Sequence, residues 1–304
     1  MNRIKKRSVG TYTLTATAEN EDGVVQTIAA PVTVTIKDGA GVTVVTDTPT
    51  ISSGTLTYNV DAGLLTKLDV YEVVWSGTIS GGAQSWTTEF ELVGGYIFEI
   101  ADLRKQNRAF SDLTKYPTFT LREVRTWVEE TLESYMAANV AFVPRYSRVK
   151  VSGSSPDLTR GYNPLLYGQD YRGLTVPDFE VRDVYSCTVN GTALTDDELD
   201  AIAVDDNTLW RSAGVQWPAW PFGHDNIELH YKHGYARCPG PITRAGLILA
   251  TEYLVKSDLP GRATATSIGD QLFRLSIAGR DGVTGLPEVD AAIAQFGRQA
   301  FGIG

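Results

Sequence analysis

TLREVRTWVEETLESYMAANVAFVPRY, residues Thr120 to Tyr146, is the stretch whose reading decides the fold. Leu121, Val124, Val128, Leu132 and Tyr135 recur at helical spacing, and Arg122, Glu129, Glu130 and Glu133 fall on the opposite, solvent-facing side. Thr120 with Glu123 three residues later has the form of a capping box, so the spacing predicts a helix over about 120–138. The pattern runs out at Ala137-Ala138-Asn139. In Phe142-Val143-Pro144-Arg145-Tyr146 the proline ring removes a backbone donor and clashes with the preceding turn, so a strand follows instead. A helix that hands over to a strand in this way belongs to an α+β protein.

Upstream, residues from about 8 to 95 alternate apolar and polar as half-buried strands do. Tyr12, Leu14 and Ala16 interleave with Thr11, Thr13, Thr15 and Thr17. Val32, Val34 and Ile36 repeat the pattern before an Asp38-Gly39 turn. Val42–Val45, Thr55–Val60, Leu68–Trp75 and Trp86–Val93 supply further strands. Short strands with turns at this spacing suggest an immunoglobulin-like β-sandwich over residues 1–95, with Gly94-Gly95 as the junction. Residues 96–304 then form a second unit, with a short helical lead-in over Tyr96–Gln106 and the helix at 120–138.

That unit carries a β-rich insertion over about 145–235, in which Asn190-Gly191 signals a type I′ hairpin. Ser152–Gly173 has the Gly, Pro, Asn and Ser content of an exposed loop. Pro241 suits the first position of a helix over about 242–256, since its missing amide would lack a partner there. Ile242, Ala245, Leu247, Ile248, Leu249, Tyr253 and their neighbours cover nearly every face of that helix. Such a helix is either the centre of a core or is clasped between subunits. Pro287 opens a last helix over 287–296, and Phe301 and Ile303 follow in a glycine-flanked tail that is either a frayed end or an anchor.

Composition narrows the function. The chain has 304 residues, 27 basic and 36 acidic, for a formal charge of −9. An acidic protein is not drawn to duplex DNA by bulk attraction, although it can surround DNA without gripping it. No apolar run reaches the roughly 20 residues of a membrane span, and no signal peptide is recognisable at the start of the chain. Cys187 and Cys238 read as two separate thiols. Arg3, Lys5, Lys6 and Arg7 read as a mobile basic terminus.

The sequence carries no recognisable catalytic motif. There is no nucleophile elbow and no phosphate-binding lysine loop, and Gly279–Gly285 reads as a connection. His230 and His233, three apart on a strand, point to opposite faces and make a poor metal pair with Cys238. Asp196, Asp197, Glu198 and Asp200 read as the acidic start of a short helix or as an acidic surface. Trp210, Trp217, Trp220 and Phe222 read as a satellite core or as a ligand-binding surface. No enzyme, cofactor or metal is expected.

The order of features resembles the head-to-tail adaptor (connector) proteins of tailed bacteriophages, especially those infecting actinobacteria. The carriers are Tyr116-Pro117 with its helix, Ala141–Tyr146, and Val181–Val184 leading to Thr188–Leu194. Ile227–Gly234, Pro239–Ile242 and Thr284–Asp290 complete the arrangement, which covers roughly 96–300. The resemblance implies a non-catalytic virion protein, assembled in the host cytoplasm, forming a dodecameric ring at the neck. Its partners would be the portal protein and the head-to-tail stopper, with double-stranded DNA passing through unbound.

By the same resemblance, Ile242, Leu247, Ile248, Leu249 and Tyr253 are candidates for the subunit interface. Phe296, Phe301 and Ile303 are candidates for portal contact, and Asp196, Asp197 and Asp200 for an acidic channel surface. The β-sandwich lies outside the minimal adaptor pattern and is expected on the exterior, where capsid or other neck proteins are its candidate partners. The rival reading is a carbohydrate-binding or adhesive module, suggested by the sandwich and the tryptophans.

Overall fold

The computed structural model describes residues 2–79, 81–136, 140–153, 173–211, 220–221, 223–255, 265–268, 271–274 and 284–297. It is a mixed α+β protein with three separate clusters of buried apolar side chains.

The first cluster lies between two sheets built from β1 (Asn2–Lys5), β2 (Thr11–Thr17), β3 (Ile28–Lys37), β4 (Thr43–Asp47), β5 (Thr50–Ser52), β6 (Thr55–Asp61), β7 (Asp69–Ile79) and β8 (Gly82–Val93). One sheet runs β1-β8-β7-β3-β4 and the other β2-β6-β5. The alternation read from sequence is what closes the sandwich. Tyr12, Leu14 and Ala16 point inward while the threonines between them stay wet. Val34, Ile36, Leu56, Leu65, Trp75 and Leu92 are fully buried, each contributing about 1.5–3 kcal/mol of transfer free energy. Trp75 keeps its indole N–H satisfied by donating to Thr88 Oγ1 at 2.9 Å.

Two strands were not anticipated, β5 and, more consequentially, β1. β1 pairs in parallel with β8, from Asn2 opposite Phe90 to Lys5 opposite Val93. Arg3 is buried and Ile4 packs against the sandwich core, so the expectation of a mobile basic terminus is overturned. The physical reason is that β1 is held on both faces, with Ile4 half-buried by apolar contact on one and Arg3 buried by ion pairing on the other.

Gly94 follows β8 and donates its N–H to Pro144 O at 2.8 Å. A Cβ on Gly94 would lie 2.7 Å from the Pro144 Cβ, so this close crossing requires glycine. Beyond it come α1 (Ile100–Gln106), a 3₁₀ turn (Arg108–Ser111) and α2 (Thr118–Ser134). α2 starts directly after Pro117, two residues before Thr120, and has no side-chain cap. The predicted Thr120–Glu123 capping box is therefore not formed. Pro117, at φ −63° and ψ 154°, already aims the chain into the helix, leaving Thr120 inside the first turn.

Leu121, Val124, Val128 and Leu132 face the core as predicted, whereas Tyr135 ends the helix and is exposed. Arg122 and Glu130 are exposed as read, but Glu129 is buried and Glu133 half-buried, so part of the side assigned to solvent is covered by other parts of the chain.

The β-rich insertion contains β9 (Arg145–Gly153), β10 (Gly173–Thr175), β11 (Asp183–Val189), β12 (Thr192–Ala193), α3 (Asp196–Asp200), β13 (Ile202–Asp205), β14 (Thr208–Arg211) and β15 (Gly223–His233). Its sheets run β12-β11-β15-β9 and β10-β14-β13 around a core of Leu174, Leu209, Trp220, Ile227, Leu229 and Tyr231. The hairpin at Asn190-Gly191 has φ of +50° and +80°, the positive pair that a type I′ turn needs.

α4 (Gly240–Leu254), a hairpin of β16 (Ala265–Ile268) and β17 (Gln271–Arg274), and α5 (Pro287–Phe296) complete the chain. Helices α1, α2, α4 and α5 share one core, in which Leu103, Leu121, Leu132, Ile242, Ala250 and Val289 are buried. Of the predicted Ser152–Gly173 loop, Ser152 and Gly153 end β9 and Gly173 opens β10, while residues 154–172, and 279–283 of the Gly279–Gly285 connection, lie outside the described residues.

Candidate functional site: an assembly face and a charged junction

α4 places Ile242, Ala245, Gly246, Leu249 and Ala250 inward against α1, α2 and α5. Leu247, Ile248 and Leu254 are half-buried against the same core. The helix is thus not enclosed on all sides. Ile242 and Leu249 are buried in the chain's own packing. Tyr253, in contrast, is 59% exposed and lies against Trp127 of α2, itself 40% exposed, with ring centroids 4.5 Å apart. Phe119, on the first turn of α2, is exposed too. The sequence did carry a signal for Trp127 and Phe119, which are large aromatics off the Leu121–Leu132 stripe. Aromatic side chains half-exposed on rigid helices are the type that anchors protein interfaces.

Phe296 closes the other end of the helical core. Its ring lies 6.5 Å from Phe142 and 6.3 Å from Tyr235, both edge-on. It is half-buried against these rings, and Phe301 and Ile303 lie outside the described residues.

Asp196, Asp197 and Asp200 are exposed on α3, which Thr195 caps by accepting from Glu198 N, with the Glu198 carboxylate returning to Thr195 N at 2.9 Å. The reading of this segment as an acidic helix start is met. Trp220 is buried and donates to Leu209 O at 2.9 Å, whereas Trp210 is exposed. Trp220 thus belongs to a core and is not available to a sugar ring; Trp217 and Phe222 lie outside the described residues.

His230 bonds Ser186 and Glu228, while His233, on the other face of β15, faces Ser147 and Asp178. Among the described residues no group of three His, Cys, Asp or Glu side chains is placed to hold a metal, and no helix is long and apolar enough to cross a membrane. Cys187 and Cys238 are both free, and burial pushes each thiol up, to about 12 and about 11 respectively.

The most densely charged site was missed from sequence. Arg3 on β1 reaches out of the sandwich and donates to Glu91 on β8 at 3.1 Å, to Glu129 on α2 at 2.9 Å and to Glu133 on α2 at 3.4 Å. Arg145 on β9 answers from the other side, 3.4 Å from Glu91 and 2.9 Å from Glu133. Each unit thus contributes an arginine to the other unit's carboxylates.

The lead-in segment is bound to the same place. Ile97 N donates to Glu129 Oε1 at 3.1 Å, Lys5 N donates to Tyr96 Oη at 2.8 Å, and the Arg125 guanidinium sits 3.2 Å from the Tyr96 ring centre. A polar cavity of about 350 Å³ opens beside the cluster, lined by Arg3, Glu91, Glu133, Arg145, Asp178 and His233.

Burial dominates the protonation of these groups. Loss of hydration lifts the Glu133 carboxyl to about 7, although Arg145 and Arg3 pull it down. For Arg3 burial acts downward, and Glu133, Glu129 and Glu91 outweigh it, leaving the guanidinium raised. Burial lowers His233, which disfavours its charged form.

No family model matches the chain, and no curated protein matches it. Among solved structures it is similar to a chain from the neck of an empty GTA particle, computed with C6 symmetry. That likeness has 15% identity and a TM-score of 0.36, covering 55% of this chain and 83% of that one.

Proposed function

We propose that this protein is a structural component of the neck of a tailed-phage particle, a head-to-tail adaptor whose copies form a ring between the portal protein and the stopper. The observation that carries the reading is the Trp127–Tyr253 pair, two aromatics in contact at a 33° tilt and left partly wet on adjacent helices. The ordered features from Tyr116 to Asp290 support it, because they resemble the adaptor arrangement piece by piece. A heterologous contact with the right rotation closes into a ring, and the ring geometry then multiplies modest contacts to portal and stopper. Twelve copies are expected from the resemblance, with DNA passing through the lumen beside acidic surfaces such as Asp196, Asp197 and Asp200.

The N-terminal unit, residues 1–95, serves as an exterior immunoglobulin-like sandwich available to capsid or other neck proteins. Its strand order supports that comparison. β8-β7-β3-β4 facing β2-β6-β5 follows the G-F-C-C′ and B-E-D arrangement of immunoglobulin sheets. The test is native mass spectrometry of the full chain, alone and mixed with portal-bearing heads. Wild type should bind the heads as a ring. Trp127→Ala with Tyr253→Ala should remain folded and fail to form it. A wild-type chain that stays monomeric and binds no portal-bearing head would overturn the reading.

A further inference from the structure

The charged junction is a carboxylate cluster short of cations. Glu91, Glu129 and Glu133 are served by Arg3 and Arg145, and the Glu133 Oε2 atom is shared between both guanidiniums. Glu133 Oε1 is buried without a donor. The other groups facing Glu133 do not make up the deficit. Asp178 adds a fourth carboxylate, and it already accepts the Tyr231 hydroxyl at 2.6 Å. His233 lies 3.9 Å from Asp178 and is held toward its neutral form by burial. Arg125, on α2 itself, is spread over the Tyr96 ring, while Tyr146 lines the cavity and the Cys238 thiol is protonated. Among the described residues four carboxylates therefore meet three guanidiniums, and a proton on Oε1, facing the adjoining cavity, is the economical way to satisfy that atom.

The placement of the cluster turns this into a statement about the whole chain. Arg3 and Glu91 belong to the sandwich, whereas Glu129, Glu133 and Arg145 belong to the helical and insertion units. We propose that the junction is a proton-dependent latch: uptake of one proton by its carboxylate cluster tightens the β-sandwich onto the helical core, and release of that proton loosens it.

The sign follows from linkage. A carboxyl lifted from 4.5 to about 7 in the closed junction favours the closed state fully below 4.5 and loses that contribution as pH rises to about 7. Within that window the closing equilibrium falls by up to about tenfold per pH unit, and it is level above it. The latch does not depend on ring formation, so a monomer would show it equally.

The test is hydrogen exchange of the full-length chain between pH 5 and 9, corrected for intrinsic rates. It reads the amide of Lys5, whose bond to Tyr96 crosses the junction, together with those of Lys6 and Ile97, which are held at its two sides by Val93 and Glu129. Wild-type protection should fall up to about tenfold per unit up to pH 7 and then level off. Glu133→Gln should remove that slope. A pH-independent wild type overturns the proposal, and so does a Glu133→Gln chain that keeps the slope. Should that variant not fold, a carboxyl-carbon NMR titration of Glu133 in the wild type decides. A midpoint near 7 supports the latch, and one near the ordinary 4.5 refutes it.

Discussion

Replacing Arg3 with methionine removes the one cation that touches all three glutamates of the junction. The side chain is 6% exposed, so solvent does little to screen the loss. Taking one partner from a buried ion cluster costs about 3–5 kcal/mol, mostly as the penalty of stranding the charges that remain. Two features set the cost toward the lower end. Arg145 still holds Glu91 and Glu133, and the raised Glu133 carboxyl can take up a proton. Glu129 is left worst off, with Ile97 N as its remaining donor beside the Arg125 charge.

The expected loss is therefore about 3 kcal/mol, a large share of the roughly 5–15 kcal/mol that holds a typical domain. Urea unfolding of the full chain measures it. Arg3→Lys should recover little, because one ammonium cannot span three carboxylates as the planar fork does. Arg3→Met combined with Glu129→Gln should recover much of the loss, since that pair strands no charge. A loss below about 1 kcal/mol for Arg3→Met, the range of exposed pairs, would refute the view that the junction is a buried cluster.

Two further outcomes follow from close contacts elsewhere. Gly234→Ala should destabilise the chain by about 1–3 kcal/mol or more in chemical denaturation, because φ is +89° and the added Cβ would meet Val143 O at 2.4 Å. Tyr231→Phe should cost about 1.5–3 kcal/mol, since it strips the 2.6 Å donor from buried Asp178; an unchanged unfolding midpoint would refute that.

Most of the elements were legible because their periodicity and their burial agree. Thr11–Thr17 alternates in sequence and in space, Asn190-Gly191 turns as its chemistry dictates, and the 287–296 helix begins at its proline. The failures share a cause. Arg3, Glu129 and Glu133 were assigned to solvent because charge is normally hydrated. Each is covered because an oppositely charged partner lies far along the chain, from 88 to 130 residues away in the pairs made by Arg3. A local pattern holds no record of such a partner. Tyr253 and Ile242 are a different case, one exposed and the other enclosed on the same helix. Their helix is apolar on nearly every face, so composition alone could not separate the side that α1, α2 and α5 cover from the side they leave bare.

The same distinction bears on how the two units are joined. The Gly94-Gly95 junction suggests that the sandwich could be removed without consequence, as a tethered module could. Arg3 argues otherwise. Cutting the chain at the glycines would remove Arg3 and Glu91 together and leave Glu129 with Ile97 N, and Glu133 facing Arg145 alone. Pro144, which packs on Gly94, would be uncovered as well. The helical unit isolated in this way carries two formerly buried carboxylates at a new surface, where hydration can replace the lost ion pairs. It should therefore fold less stably than in the full chain, while losing the pH dependence that burial imposes on Glu133. A truncated chain beginning at residue 96 that unfolds at the same urea concentration as the helical unit of the full chain would show that the sandwich is a passenger. A lowered midpoint, level between pH 5 and 9, would show that the sandwich is a structural part of the unit that it covers.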